Sequence, residues 1–435
     1  MPAVLEHPAS MLESAPETPA AFPAWFAERQ RAAWQRFLET PTPKRGDEPW
    51  RFSNFKQLDF SGIARGEAAA PSGLVARSNG LEAPAAKFVF GNEQLLHSES
   101  KLPEGVVCLP LADALVSHGE LVRAHFMKQD TRLGSVKWTA LHEANLRNGL
   151  FVHVPAGVEV EGTIEVFHWL CGENVAIFPH TLIVTGANSK VRVVDYFQSA
   201  DDSAAGLCVA VNDLIAGEGS KLDYVAIQAF NENTRVIQVN ETGAGKNAST
   251  TGFILNTGAA WARNESLCRL EGEGSRSDML SVSVPAREQE YDQRTFQHHV
   301  SPGAYSDLLY KNSLYDESRT IFSGLIFVDE GAHRTDAYQT CRNLFMSEDA
   351  EANSMPGLEI NADDVKCSHG STSSQIDESE IFYLRARGID PVRARQLIAR
   401  GFSVEVIERL GDDKVEEMVL RFLDDKFAHI AGGGA

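Results

Sequence analysis

A chain of 435 residues is long enough for one large domain with appendages or for two to three ordinary ones, and either way it can bury a core without disulfides. Sixty Asp and Glu against 40 Lys and Arg leave a formal charge of -20, which repels phosphate backbones and anionic lipid and argues against nucleic acid and membrane as partners. The six cysteines, at 108, 171, 208, 268, 341 and 367, include no Cys-x-x-Cys pair, against a zinc ribbon, a thioredoxin motif or a whole iron–sulfur cluster held by this chain alone.

The opening stretch "MPAVLEHPASMLESAPETPAAFP" has no basic flank before an apolar run, and no apolar stretch approaches the ~18 residues that span a bilayer, so a reducing cytoplasm is the expected compartment. Residues 1–20, rich in Ala, Pro and Glu, are expected to be disordered. A mixed helical region follows over 21–147. It opens with "PAWFAERQRAAWQRFLET", whose Trp25, Phe26, Trp34, Phe37 and Leu38 share roughly one helical face. In "EPWRFSNFKQLDF" the aromatics at 50, 52 and 55 imply an anchored extended segment, and a helix is expected near 111–128.

From about residue 148 the texture changes to short alternating runs rich in Val and Ile and broken by Gly-centred turns. Turn glycines at 157, 186, 217, 243, 272, 303, 331 and 357 recur every 26–31 residues, and "TGANSKVRV", "AGEGSKLDY" and "EGEGSRSDM" are alike in detail. Such a period predicts a right-handed parallel β-helix over 148–372, each repeat one coil whose apolar face is covered by its neighbours. A β-sandwich is the rival, but it gives no reason for the repeat. Residues 373–435 carry the punctuation of four short helices: Asp377 and Asp390 as N-caps, Pro391 at the first helical position, and Gly388 and Gly401 as stops.

Chemical motifs are few. "ETGAGKNAST" departs from a phosphate loop at Asn240 and Asn247 and reads as a solenoid turn, so no nucleotide hydrolysis is expected of this chain. His298 and His299 are adjacent on a strand and face opposite ways, so they do not readily chelate one ion. Cys367 and His369 are spaced i, i+2, which puts both on one face of a strand, about 6.5–7 Å apart along the backbone, in reach of a soft or borderline ion such as iron or zinc. The plainer reading is a buried Cys beside a satisfied His. Cys341 lies 26 and 28 residues earlier, close to the coil period, so it is expected one coil beneath the pair, still one ligand short of a full cluster set.

"FSGLIFVDEGAHRTDAYQTCRNL" followed by "LEINADDVKCSHGSTSSQIDESEIFYLRARGI" resembles the SufB/SufD family of iron–sulfur cluster assembly proteins, strongly over about 301–401 and more loosely elsewhere. The chain leans to the SufD branch: it reads "ADDVKCSHG" where SufB has an acidic residue on each side of the histidine, and "FYLRARGI" where SufB has a cysteine after Phe-Tyr. The resemblance implies a non-catalytic scaffold. It implies a SufB partner on the last coils, the ATPase SufC on the C-terminal helices, and a homodimer as the alternative in isolation. A transient iron–sulfur cluster shared with SufB would be the cargo, with helices expected to cap the far end of the solenoid. His369 matches the SufD histidine placed opposite a SufB cysteine, and Cys367 a cysteine beside it. Cys341 falls where SufB carries its essential cysteine, which leaves ligand, sulfur relay and buried thiol open. The competing readings are a SufB-like paralogue, a polysaccharide-degrading β-helix enzyme, against which the missing export signal counts, and a structural zinc protein, which lacks four convergent ligands.

Overall fold

The computed structural model describes residues 10–66, 71–129 and 131–432. Residues 1–9 of the expected disordered segment lie outside them, whereas Met11 is buried and its N–H donates to the Ile63 carbonyl, so the chain is anchored from there. In order follow helix α1 (Ala24–Glu39), the short strand β1 (Ala64–Arg65), the single turn α2 (Leu74–Arg77), strands β2 (Ala86–Gly91), β3 (Gln94–Ser100) and β4 (Val107–Pro110), then helices α3 (Leu111–Ser117), α4 (Gly119–His125) and α5 (Val136–Asn145). The coils begin with β5 (Gly149–Val154), β6 (Ile164–Leu170), β7 (Val175–Ile177), β8 (His180–Thr185), β9 (Lys190–Ser199), β10 (Gly206–Ala216), β11 (Lys221–Ala229), β12 (Thr234–Ala244) and β13 (Ser249–Asn256). They continue with β14 (Trp261–Leu270), β15 (Arg276–Ser283), β16 (Glu290–His299), β17 (Tyr305–Leu314), β18 (Arg319–Val328), β19 (Asp336–Phe345), β20 (Glu351–Ile360) and β21 (Lys366–Gln375). Helices α6 (Glu378–Arg385), α7 (Pro391–Ile407) and α8 (Asp413–Gly432) close the chain.

From β8 onward successive strands alternate between two sheets, one ordered β20-β18-β16-β14-β12-β10-β8-β5-β4 and the other β21-β19-β17-β15-β13-β11-β9-β6-β2-β3, and every pairing among β5 to β21 is parallel, which is a parallel β-solenoid. Each coil needs its neighbours because half of every strand points into the lumen, where burial of an aliphatic side chain contributes about 1.5–3 kcal/mol. In the N-terminal half the lumen is apolar, with Val152, Val166, Val193, Ala210 and Tyr224 among its residues. The repeat is recorded best at a left-handed turn position held by Asn188, Gly219, Asn247, Gly274, Gly303, Arg334 and Asp364. The N–H of each of the first six bonds a carbonyl of the next turn. A side chain is not tolerated at every step: a Cβ at Gly219 would stand 2.3 Å from Asn188 Oδ1. Of the glycines counted in the sequence, Gly303 stands in this column and Gly157 has the same left-handed backbone, its N–H bonding the Ala187 carbonyl of the next turn; the others fall near the column rather than on it, and Gly243 and Gly357 lie inside strands.

Three expectations change. The N-terminal region does more than precede the solenoid: β2 and β3 form an antiparallel hairpin that continues the second sheet, and β4 pairs antiparallel with β5. These strands close that end, while the helices lie along an outer face, with α5 against β10 and α3 against β5 and β8. Among the aromatics of "EPWRF", Trp50 is the anchor. Its ring lies 3.8 Å from the buried Arg263 guanidinium, which donates to Glu265 and Asp292, 2.6 Å each, and to the Pro49 and Leu133 carbonyls, whereas Phe52 is exposed. Lastly, Gly401 does not stop a helix. Helix α7 runs through it to Ile407, because Phe402, Val406 and Ile407 continue its apolar stripe, and the C-terminal part has three α-helices instead of four. Both aspartate caps are made, Asp377 accepting from Ser379 N and Asp390 from Val392 N and Arg393 N. Helix α7 packs on the outer face of β15 and β17, where the buried Lys311 ammonium donates to the Phe402 carbonyl and to Glu405.

Candidate functional site: the open end of the solenoid

Strands β20 and β21 terminate their sheets, so each leaves one edge of backbone N–H and C=O groups unpaired. On β19 the inward positions Ala337, Gln339, Cys341 and Asn343 are buried. Their ladder partners on β21, Cys367, His369, Ser371 and Ser373, continue that inward row, but no further coil covers them. The facing strand behaves alike: buried Thr320, Phe322, Gly324, Ile326 and Val328 support Ala352, Ser354, Pro356, Leu358 and Ile360, none of them buried. The last coil is therefore the open mouth of the lumen.

Sequence placed Cys367 and His369 on one face of a strand, and they share that inward row of β21. Cys367 is half-buried against Ile326, Val328, Ala332 and Ala337, and burial raises its thiol pKa, with the nearby Asp336 carboxylate adding to the effect. His369 is exposed. Cys341 does lie one coil beneath, but its ladder partner is Ser371. The register is 30 residues here, so Cys341 is displaced from Cys367 by four positions, about 13 Å along the strand. It is buried among Leu308, Tyr310 and Phe322, where desolvation pushes its thiol up to about 12. Asn312 Nδ2 approaches its sulfur at 3.8 Å and Ser354 Oγ at 4.0 Å. The end coil thus offers one imidazole and one thiol outward, with the second thiol set back in the lumen. Among the described residues no group of three or more His, Cys, Asp or Glu is placed to hold a metal ion.

The two other histidines behave as their alternation requires. His299 points inward to Ser306 Oγ at 2.8 Å, and His298 points outward to Asp329 at 2.9 Å. Sequence reasoning missed the apolar part of the mouth, Leu358 and Ile360, 36% and 40% exposed, and the exposed Phe382, Tyr383 and Val392 on α6 and α7. Alternation on β20 carries a signal for the first pair. Nothing local marks the second group, since helix exposure depends on what α6 packs against. A cleft of about 950 Å³ between α8 and the turns that bear Glu232 and Arg287 holds no residue of the last coil.

Comparison with known proteins covers both parts of the chain. The SUF system FeS cluster assembly SufBD core domain matches residues 168–402, and the SufBD protein N-terminal region matches 86–166. Iron-sulfur cluster assembly protein SufD of Bacillus subtilis is 25% identical over 93% of this chain and 94% of its own length. SufD of Escherichia coli is 32% identical over 62% of this chain and 61% of its own. SufB of Bacillus subtilis is 24% identical over 91% and 88%.

Proposed function

Because the chain belongs to the SufB/SufD family of iron–sulfur cluster assembly proteins, we propose that it is a SufD-like scaffold that pairs through its open last coil with a SufB paralogue and presents His369 to a nascent cluster. The observation that carries this reading is the uncapped coil with a histidine and a thiol on its inward row and, among the described residues, no complete ligand set beside them. A partner strand supplies both what the backbone edge lacks and what the coordination set lacks. Neutral imidazole is the ligand form; Cys367 assists at the rim, and Cys341 stands behind it as ligand, sulfur carrier or buried thiol.

The phosphate-loop lookalike is an ordinary turn between β12 and β13, with Asn247 left-handed at its tip, so ATP hydrolysis is assigned to a separate SufC ATPase. Its docking surface is placed on the C-terminal helices, where Phe382 and Tyr383 are 71% and 56% exposed. Among the described residues no helix is long and apolar enough to cross a membrane, and the cytoplasm is the proposed location. Co-expression with SufB and SufC tests the reading. His369→Ala should leave the complex intact and lower its cluster content and the maturation of a reporter iron–sulfur enzyme. Wild-type content and maturation would overturn the site. Failure of the wild-type chain to co-purify with SufB would overturn the pairing.

A further inference from the structure

Beneath the mouth lies a buried amide with an unused acceptor. Gln339 is 1% exposed and is the ladder partner of His369. Paired residues of parallel strands face the same way, so both sit in the inward row one coil apart. The Gln339 amide nitrogen donates down the lumen to Gln297 Oε1 at 3.4 Å. Gln297 Nε2 in turn donates to Ser306 Oγ at 2.8 Å and to the Tyr338 carbonyl at 3.0 Å. Room for the amide comes from the facing sheet, where a Cβ on Gly324 would stand 2.1 Å from Gln339 Nε2. With the nitrogen engaged by the coil below, the oxygen of the same amide is left free to accept, and it has no hydrogen-bond partner. In the last coil the ladder partner of Gly324 is Pro356, with no N–H to give, and that of Gln339 is His369.

We propose that Gln339 is a positioning residue for His369, its Oε1 accepting the imidazole Nδ1–H so that the Nε2 lone pair is directed out of the open end. Nδ1 is the ring nitrogen nearer its own backbone, and Nε2 is the distal one, able to reach past the last coil. A histidine that offers one nitrogen to a metal characteristically has the other held by a second hydrogen bond, which sets the tautomer. Buried acceptors in turn rarely stay without donors. The purpose of the arrangement rests on the assembly reading above, whereas the hydrogen bond itself does not.

Long-range proton–nitrogen correlation spectra of the full chain, isotopically labelled at histidine and recorded at a pH of about 8, above the ordinary histidine range, read the tautomer directly. His369→Ala assigns the signal by its loss. The Nδ1–H to Nε2–H ratio of wild-type His369 should exceed that of a solvent-exposed histidine by roughly tenfold, the scale of one net hydrogen bond. Gln339→Met, similar in shape but without an acceptor, should return it to the mixture of a solvent-exposed histidine, and Gln339→Glu, which keeps an acceptor, should retain Nδ1–H. A wild-type ratio equal to that of a solvent-exposed histidine overturns the proposal. So does an unchanged ratio in Gln339→Met, which would assign the oxygen to an ordered water. Should Gln339→Met fail to fold by circular dichroism, the wild-type ratio and Gln339→Glu decide. Co-purification with SufB is measured separately, so a failure of the pairing leaves the tautomer result standing.

Discussion

Cys341 and Cys367 are one coil and four ladder positions apart, and burial separates their chemistry further. Thiolate is the reactive form, and a thiol held at about 12 inside the lumen presents almost none of it at neutral pH. Iodoacetamide is therefore expected to alkylate Cys367 at least about tenfold faster than Cys341 in the native chain, with the difference lost in denaturant; mass spectrometry of the two peptides reads both rates. Equal native rates would show that the mouth opens as far as Cys341. Stability should separate the residues too. His369→Ala, at an exposed position, should change unfolding free energy by less than about 0.5 kcal/mol, whereas Cys341→Ser should cost about 1–2 kcal/mol, both read by urea titration. The i, i+2 spacing of Cys367 and His369 made their shared face legible, because strand alternation is local. The place of Cys341 was not legible to better than a few residues: turn lengths set the register, and an error of four positions is about 13 Å.

Helix caps were readable for the same local reason, and a glycine was over-read. Asp377 and Asp390 each place a side-chain oxygen on the first backbone N–H groups, which short sequence signatures capture. At Gly401 the local signal was outvoted by tertiary packing, since the stripe beyond it is buried against the solenoid. An added Cβ there meets nothing within 4 Å, so Gly401→Ala should stabilise the chain by about 0.5–1 kcal/mol and raise its melting temperature. A lower melting temperature would mean that the glycine is needed for a partner's approach. Helix α7 is also held by charge. The hydrogen bond from Lys311 holds the Glu405 carboxyl below its ordinary range. A folded-state pKa below the unfolded one contributes stability above the unfolded value and loses it as pH falls through the folded one. The α7 contact should thus be complete at neutral pH and weaken below about 4.5. Because Glu405 is largely exposed, the effect is screened and should stay under about 1 kcal/mol. Hydrogen exchange of α7 amides measures it, and Glu405→Gln should abolish this acid dependence.

At the scale of the whole molecule the two ends are unlike, and the proposed function rests on the difference. A repeat period announces a solenoid in sequence, but closure depends on strands that come from outside the repeat. At the first end β2, β3 and β4 supply it, two of their pairings being antiparallel. At the last end the chain turns away into α6 immediately after β21, and two strand edges and an inward row containing Leu358 and Ile360 meet solvent. An open, partly apolar coil end invites pairing with another chain, and natural edge strands that must stay alone carry charges there. Of the ten residues of β20 only Glu351 and Glu359, near its two ends, are charged, and of β21 only Lys366 at its start. The isolated chain is accordingly expected to self-associate through this end and to exchange that contact for SufB when it is supplied. Leu358→Lys with Ile360→Lys places two charges on the inward row without emptying a core, so the monomer should unfold within about 0.5 kcal/mol of wild type. The same double variant should sediment as a monomer at concentrations where wild type is dimeric, and should lose SufB in co-purification. Wild-type sedimentation and full SufB recovery in the double variant would move the interface away from the mouth.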